Sequence, residues 1–249
     1  MTYLYAIIAV VIVSLISFIG VITLGLKKKN LESLLLVLVA FSTGALIGDT
    51  FIHLIPEAVR ESGGELTIAT SISIFVGILI FFILEKFLRW RHCHDIDCEE
   101  HPHHLGTMNL VSDALHNLID GALIGASFLV SIPLGLATFV AIVFHEIPHE
   151  LGNYGVLVHS GYSRKRALVV NFFSGSAAVV GTIITLIIGA RFTHLTEALI
   201  PITAGGFIYI AMSDLIPELH RENRLANSLL QLLFLIGGIL VMFLLLRIG

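Results

Sequence analysis

The sequence predicts an all-α membrane protein with eight transmembrane helices. Of its 249 residues 56% are hydrophobic and only 13% are charged, and the mean hydropathy is +0.96, so most of the chain cannot be the exterior of a soluble globule. The sequence lacks the alternation of apolar and polar residues that is typical of barrel strands, and this favours a helical bundle. Eight apolar stretches have about the 20 residues that a helix needs to cross about 30 Å of hydrocarbon. These spans 1 to 8 lie at about 3–24, 34–58, 66–90, 107–130, 134–158, 166–190, 196–218 and 228–247.

The connections between the spans predict that both termini lie outside. Met1-Thr2-Tyr3 carries no basic segment and no small-residue cleavage site follows, so we expect span 1 to be a membrane helix rather than a signal peptide. Positively charged connections stay on the cytoplasmic side. One side of the predicted bundle holds 11 of the 14 basic residues, and Arg60, Arg191 and Arg247 fall on the other.

One connection is long and hydrophilic, and it lies between spans 3 and 4. Residues 92–106 contain both cysteines, Cys93 and Cys98, together with several histidines and acids. The charge count puts this segment in the cytoplasm, where thiols are kept reduced, so a disulfide is not expected. We predict weak metal binding there, and a single transmembrane domain over 1–249.

A short motif is repeated in spans 2 and 7. His53-Leu-Ile-Pro-Glu57 in span 2 matches Asp214-Leu-Ile-Pro-Glu218 in span 7, and Gly44 aligns with Gly205. Because the two spans would run in opposite directions, the motif predicts an inverted repeat, which is common in secondary transporters.

The residues that carry chemistry lie on spans 4 and 5. Asp113, His116, Asn117 and Asp120 recur at helical spacing on one face of span 4. Span 5 carries a matching stripe that consists of His145, Glu146, His149, Glu150 and Asn153. About three residues join the two spans, so both stripes are predicted to face each other at similar depth.

These intramembrane groups are predicted to bind a metal cation. An ionisable group at bilayer depth costs about 2.5–3.5 kcal/mol on insertion scales, and neither span contains a lysine or arginine that would compensate the acids. A bound cation supplies the missing charge most simply. Mixed imidazole and carboxylate ligands indicate zinc, iron, manganese or cobalt, with cadmium as a further candidate, rather than magnesium or calcium.

The pattern Asp-x-x-His-Asn-x-x-Asp-Gly in span 4, followed by His-Glu-Ile-Pro-His-Glu-Leu-Gly in span 5, resembles the ZIP (Zrt/Irt-like) family of zinc and iron transporters. The resemblance extends over nearly the whole chain. It implies that six side chains line a site for one or two metals, with Asp120 and His149 placed to bridge, and that metal moves toward the cytoplasm. The six are His116, Asn117, Asp120, His145, Glu146 and His149, and Glu150 is a further candidate on the same stripe.

Two departures from the family pattern bear on the second metal. Asn153 stands where the motif usually continues with an aspartate, and span 6 has no acid between Ala167 and Ala190, leaving Asn171 and Ser174 as its strong polar candidates. Other polar residues could line the pathway. We expect Asp49, His53 and Glu57 on the outer approach, and Asp113, Asp214 and Glu218 at the inner exit.

Two rival functions remain at this stage. An intramembrane zinc protease would use His145-Glu-Ile-Pro-His149 as His-Glu-x-x-His, but Pro148 distorts the turn that such a helix needs. A metal sensor would need a soluble signalling module, and the sequence predicts none over residues 1–249. We therefore predict a transporter rather than an enzyme, a multi-pass protein of a plasma membrane or bacterial inner membrane. Its expected partners are divalent metal ions, zinc first, and the lipid bilayer, with no nucleic acid and with a homodimer left open.

Overall fold

The computed structural model describes residues 1–24, 28–90, 102–189 and 193–247, and this part of the chain is helical without any strand. The all-α prediction is therefore confirmed. The first half contains α1 (Thr2–Ile16) with a 3₁₀ continuation (Ser17–Leu24), α2 (Lys28–Asp49), α3 (Ile55–Glu61), α4 (Ile68–Trp90) and α5 (Pro102–Val130). The second half contains α6 (Ile132–His159), α7 (Arg164–Gly175), α8 (Ala177–Gly189), α9 (Thr193–Ile210), α10 (Ile216–Leu219) and α11 (Leu225–Leu245).

Six helices of the described residues are long and apolar enough to cross a membrane. They are Thr2–Val21, Ser33–Glu61, Ile132–His159, Arg164–Gly189, Ala198–Leu219 and Leu225–Leu245. Predicted spans 3 and 4 are also helical, as α4 and α5. The apolar part of α4 is shorter, Ile68–Leu84, and α5 carries its polar stripe through the middle of the helix. The count of eight spans and the location of the termini remain predictions.

The two copies of the repeated motif have the same local backbone structure. A π-helical turn covers Thr50–Leu54 between α2 and α3, and a second covers Ala211–Leu215 between α9 and α10. In each copy proline is the second residue of the helix that follows. Proline has no N–H for the carbonyl four residues earlier, and a widened turn accommodates that loss. Equivalent positions in the two copies lie 161 residues apart.

Glycines at the same spacing hold two helix pairs in close contact. A Cβ atom at Gly44 of α2 would lie 1.9 Å from a backbone oxygen of α11, and one at Gly238 of α11 would lie 2.2 Å from a backbone oxygen of α2. The pair of α4 and α9 repeats this reciprocal arrangement through Gly77 and Gly205, at 2.1 and 2.0 Å. Each contact therefore requires glycine on both helices.

Close packing also fixes the position of α5, which carries the polar stripe of predicted span 4. Cβ atoms at Gly121 of α5 and Gly181 of α8 would lie 1.8 and 1.9 Å from backbone oxygens of the opposite helix. Phe128 near the end of α5 is fully buried in the main apolar core, and so is Phe207 of α9. By contrast, α11 exposes most of its leucines on its outer face, as expected for a helix in contact with lipid.

Candidate metal centre

The hairpin of α5 and α6 brings the two polar stripes together. Ser131 alone separates the helices, and its hydroxyl oxygen accepts a hydrogen bond from the N–H of Leu134 at 3.2 Å, which caps α6. Pro133 lies in the first turn, where its missing N–H costs no helical hydrogen bond. With so short a connection the helices must pack side by side and antiparallel.

Four side chains of the hairpin converge on one point: His116 and Asp120 from α5, and His145 and Glu146 from α6. One nitrogen or oxygen from each lies within 4.8 Å of all the others. His145 Nε2 is 2.9 Å from Asp120 Oδ2 and 3.3 Å from Glu146 Oε1. His116 Nε2 is 3.2 Å from the same glutamate oxygen and 3.8 Å from Asp120 Oδ2. We call these four residues the hairpin cluster.

These distances suit a small transition-metal ion. Zinc binds nitrogen and oxygen at about 2.0–2.2 Å in tetrahedral geometry, which separates neighbouring ligand atoms by about 3.3 Å. The four histidine-to-carboxylate distances, 2.9 to 3.8 Å, lie on both sides of that value, and all ligand atoms lie within 4.8 Å of one another. An ion at the centre would therefore require only small side-chain movements.

The hairpin cluster is buried, and its ligand atoms lack hydrogen bonds. Asp120 and Glu146 are fully buried, and His145 is 2% exposed. Both carboxylates, and Nε2 of both histidines, have no hydrogen-bond partner, so their close contacts lack hydrogen-bond geometry. An unsatisfied buried polar group costs about 1–3 kcal/mol, and an unpaired charge costs more. No described lysine or arginine forms an ion pair with them, whereas a bound cation would satisfy all four.

A backbone contact orients one of the ligands. Nδ1 of His145 lies 3.4 Å from the carbonyl oxygen of Ala141, one turn earlier in α6. A proton on Nδ1 that faces this oxygen leaves Nε2 free to bind a metal, which is the usual support for a histidine ligand.

His149 and Asp113 extend the hairpin cluster in the direction of the C-terminal end of α6. His149 Nδ1 lies 3.6 Å from Glu146 Oε1 and 3.7 Å from Asp113 Oδ1. Its ring packs against that of His116, with centroids 4.3 Å apart. His149 is thus placed beside Glu146 rather than among the four converging side chains.

Two asparagines hold Asp113 in this position. Nδ2 of Asn117 donates to the backbone oxygen and to Oδ1 of Asp113, at 3.2 and 3.3 Å. Nδ2 of Asn153 donates to the same Oδ1. The amide of Asn153 therefore supplies a donor where the family's aspartate would bring a second carboxylate. Oδ1 of Asn117 stays buried without a hydrogen bond.

Glu150 lies in a separate polar network. Its Oε1 accepts from the hydroxyl of Ser17 and its Oε2 from Nδ2 of Asn171, each at 2.5 Å. Asn171 also donates to the backbone oxygen of Ser17 at 3.1 Å. The glutamate thereby connects α6 to the 3₁₀ segment after α1 and to α7. This is a different arrangement from the metal contact that its place on the stripe led us to expect.

The predicted outer-approach residues divide into two sets. Asp49 is fully buried, with Oδ1 3.4 Å from Nδ1 of His53 and with Oδ2 accepting a hydrogen bond from Thr138 at 3.3 Å. Glu57, by contrast, forms an ion pair with the exposed Arg60 one turn later. Of the three residues, only Asp49 and His53 therefore form a buried polar site.

Of the three predicted inner-exit residues, Asp113 is buried, whereas Asp214 and Glu218 are exposed. Glu218 is half exposed and pairs with Arg221 at 2.6 Å. Asp214 lies in the second π-helical turn. Of the segment 92–106, which is predicted to be cytoplasmic, residues 92–101 and the side chains of 102–105 lie outside the described residues, so the predicted loop site lies outside them too.

Sequence reasoning missed two hydroxyl residues outside the motifs, Ser42 and Thr138, which contact the backbone beside His145 and the side chain of Asp49. Ser42 donates to the backbone oxygen of Phe144 at 2.5 Å, and Thr138 donates to Asp49. Pro148 was a usable signal for the first contact, because it leaves the carbonyl of Phe144 without its helical donor. No local signal pointed to the second.

Comparison with known proteins identifies relatives over almost the whole chain. A family model described as ZIP Zinc transporter matches residues 1–107 and 91–246. Zinc transporter zipt-7.2 of Caenorhabditis elegans is 30% identical over 97% of this chain and 65% of its own length. Zinc transporter YKE4 of Saccharomyces cerevisiae is 32% identical over 95% of this chain and 79% of its own. Zinc transporter ZIP13 of Pongo abelii is 34% identical over 82% and 65%. The chain thus spans about two thirds to four fifths of the length of these relatives.

Proposed function

This chain belongs to the ZIP zinc transporter family, and we propose that it carries a divalent transition metal, zinc first, across a lipid bilayer toward the cytoplasm. The hairpin cluster is the observation that carries the proposal. Three of its four side chains are buried and His116 is 17% exposed, and together they offer two imidazoles and two carboxylates whose ligand atoms lack hydrogen bonds. Buried groups of this kind are costly unless a cation joins them. The membrane would be a plasma membrane or a bacterial inner membrane.

The proposed ligands are the four side chains of the hairpin cluster, with His149 recruited when the metal moves. Nδ1 of His149 lies 3.6 Å from Glu146 Oε1, within the reach of a small rotation. Asn117 offers its buried Oδ1 as a further weak ligand. Because nitrogen and oxygen ligands are mixed, the site suits zinc, and also iron(II), manganese(II) and cadmium, better than magnesium or calcium.

The pathway would use the repeated motif on both sides of the site. The two π-helical turns and the reciprocal glycine contacts, all at a spacing of 161 residues, support an inverted repeat. In the predicted topology Asp49, His53 and Glu57 lie on the outer side. Metal would leave on the inner side past Asp113, and then past Asp214 and Glu218.

The proposed driving force is the electrochemical gradient. The sequence contains no Gly-x-x-x-x-Gly-Lys-Ser/Thr loop that would bind nucleotide phosphates. A potential of 100 mV, negative inside, is worth about 2.3 kcal/mol per charge, or about twice that for a divalent ion. Uptake should therefore need no ATP.

Reconstitution into liposomes tests the proposal. The purified full-length chain should take up zinc without nucleotide, and cadmium, iron(II) and manganese(II) should compete. Asp120→Ala and His145→Ala should each lower uptake by at least about tenfold, because each removes a ligand from a buried cluster. His159→Ala, at the end of α6 and away from the hairpin cluster, should transport like the parent. Parental rates in both ligand variants would refute the assigned site.

The relatives and the geometry argue against the protease. The three relatives above are named zinc transporters. In addition, Glu146 of the His-Glu-x-x-His sequence lies among the candidate ligands, where it could not act as a free general base. A protease of the His-Glu-x-x-His type would need His149 as a metal ligand, but His149 lies beside the four candidate ligands rather than among them.

A further inference from the structure

We propose that Asp49 and His53, together with the hydroxyl of Thr138, form a second metal-binding site on the outer side of the hairpin cluster. This site, which we call the outer pair, would receive the ion before it reaches the hairpin cluster. The inference rests on the proposed transport function, but it concerns residues outside the hairpin cluster.

The first support is the unsatisfied chemistry of the two side chains. The Asp49 side chain is fully buried and that of His53 is 8% exposed. Oδ1 of Asp49 and both ring nitrogens of His53 have no hydrogen-bond partner. A neutral imidazole and a carboxylate in this state are the ligand types that bind zinc, and two ligands plus water hold an ion weakly enough to release it.

The second support is the absence of another counter-charge among the described residues. Asp49 contacts His53, 3.4 Å from Oδ1, and Thr138, 3.3 Å from Oδ2. Neither the hydroxyl nor a neutral imidazole compensates the charge of a fully buried carboxylate. A cation between Oδ1 and the imidazole would do so.

The third support is the position of the outer pair relative to the hairpin cluster. Thr138 and His145 lie seven residues apart on α6, which is two helical turns and about 10 Å along one face. Thr138 is closer to Ser131, the end of α6 that the predicted topology places outside. The outer pair therefore lies along the helix face that leads to His145.

The local backbone explains how the two ligands come together. Asp49 is the last residue of α2, and the π-helical turn Thr50–Leu54 follows it directly. This widened turn holds His53 beside Asp49, which Thr138 contacts from α6. π-helical turns in otherwise regular helices often mark functional sites.

Cobalt(II) binding to the purified full-length chain in detergent tests the site, since its absorption spectrum reports nitrogen and oxygen ligands. Two divalent cations about 10 Å apart repel each other, so the outer pair is measured in a background with the hairpin cluster disabled by Asp120→Asn and His145→Gln. Residues 92–104 contain further histidines and both cysteines, so only differences between variants are interpreted.

We expect this background to lose one equivalent of cobalt, and added His53→Gln or Asp49→Asn to remove one more. Added His159→Gln should remove none. If His53→Gln and Asp49→Asn leave the stoichiometry of the background unchanged, the two residues form only an ion pair with each other and the proposal is wrong. In the parental chain, His53→Gln should retain the equivalent bound by the hairpin cluster, which shows that the variant is folded.

The outcomes separate this proposal from the proposed function. Loss of uptake in Asp120→Ala concerns only the hairpin cluster. With that cluster intact, Asp49→Asn should raise the KM for zinc uptake by about threefold or more and change kcat by less than about twofold, because it weakens capture. An unchanged KM would count against the outer pair even if uptake itself is confirmed.

Discussion

The hydroxyl of Ser42 in α2 donates a hydrogen bond at 2.5 Å to the backbone oxygen of Phe144 in α6, the oxygen that Pro148 leaves without its helical donor. The same hydroxyl lies 2.7 Å from the backbone oxygen of Leu38 in its own helix. Phe144 directly precedes His145, so this contact between helices supports the backbone at the hairpin cluster. The proline can therefore be accommodated inside α6 without a buried, unpaired carbonyl.

Ser42→Ala should destabilise the protein, since it leaves that carbonyl buried without a donor. The expected cost is about 1–3 kcal/mol. Thermal unfolding in detergent measures it, and the control is Ser71→Ala, whose hydroxyl donates to the backbone oxygen of Thr67 in the same segment. The control should shift stability by less than about 0.5 kcal/mol. Equal melting temperatures for the two variants would show that the contact between the helices contributes nothing.

Gly44→Ala and Gly205→Ala should both be destabilising, because each adds a methyl group about 2 Å from a backbone oxygen of the facing helix. The two helices would have to separate, and backbone cannot move as a flexible side chain can. Gly155→Ala in α6 is the matched control, because nothing lies within 4 Å of its added Cβ. In that helix interior alanine should be neutral or stabilising by up to about 1 kcal/mol. A parental melting temperature for Gly44→Ala would contradict the close packing of α2 and α11.

Helical periodicity was sufficient to predict the two polar stripes, but not which four of their side chains converge. His116 and Asp120, one turn apart on span 4, and His145 and Glu146 on span 5 could be placed on facing stripes from spacing alone. Spacing says nothing about partners from distant helices, however. Glu150 was grouped with the metal ligands because it follows Glu146 by one turn, yet it bonds to Ser17 and Asn171.

The same limit applies to the span count. Hydropathy predicts a span where apolar residues dominate, but α5 combines a long helix with a polar stripe, and its membrane position rests on its neighbours. The equivalence of the two π-helical turns could be anticipated from the repeated Ile-Pro-Glu sequence. The widened turn itself could not, because it depends on how the preceding helix accommodates the proline.

Glu146→Gln and Glu150→Gln should differ strongly in metal binding. The first removes a charged ligand from the hairpin cluster, so we expect cobalt affinity to fall by at least about tenfold. The second keeps an acceptor for Ser17, and Asn171 can turn its buried Oδ1 toward the new amide. Glu150→Gln should therefore retain parental affinity. Titration of both variants with cobalt(II) measures the two affinities. Equal losses of affinity would show that Glu150 is a metal ligand as well.

Asn153→Asp should create an additional cation site at the inner end of the hairpin. The present amide donates to Asp113 Oδ1 and lies 3.4 Å from Nδ1 of His149. The introduced carboxylate would instead repel Asp113, and two adjacent carboxylates cannot both ionise cheaply unless a cation lies between them. With the imidazole of His149 nearby, the three groups would form a mixed oxygen and nitrogen site. We expect one more equivalent of cobalt(II) to bind than in the parent.

Asn153→Ala is the control for that substitution. It removes the same hydrogen bond to Asp113 but adds no carboxylate, so the number of bound cobalt ions should stay at the parental value. If both variants gained an ion, release of Asp113 from its donor would be the cause rather than the new charge. If neither gained one, Asp113 and His149 would be too far apart to share a metal, and the extension of the hairpin cluster toward the inner end would need revision.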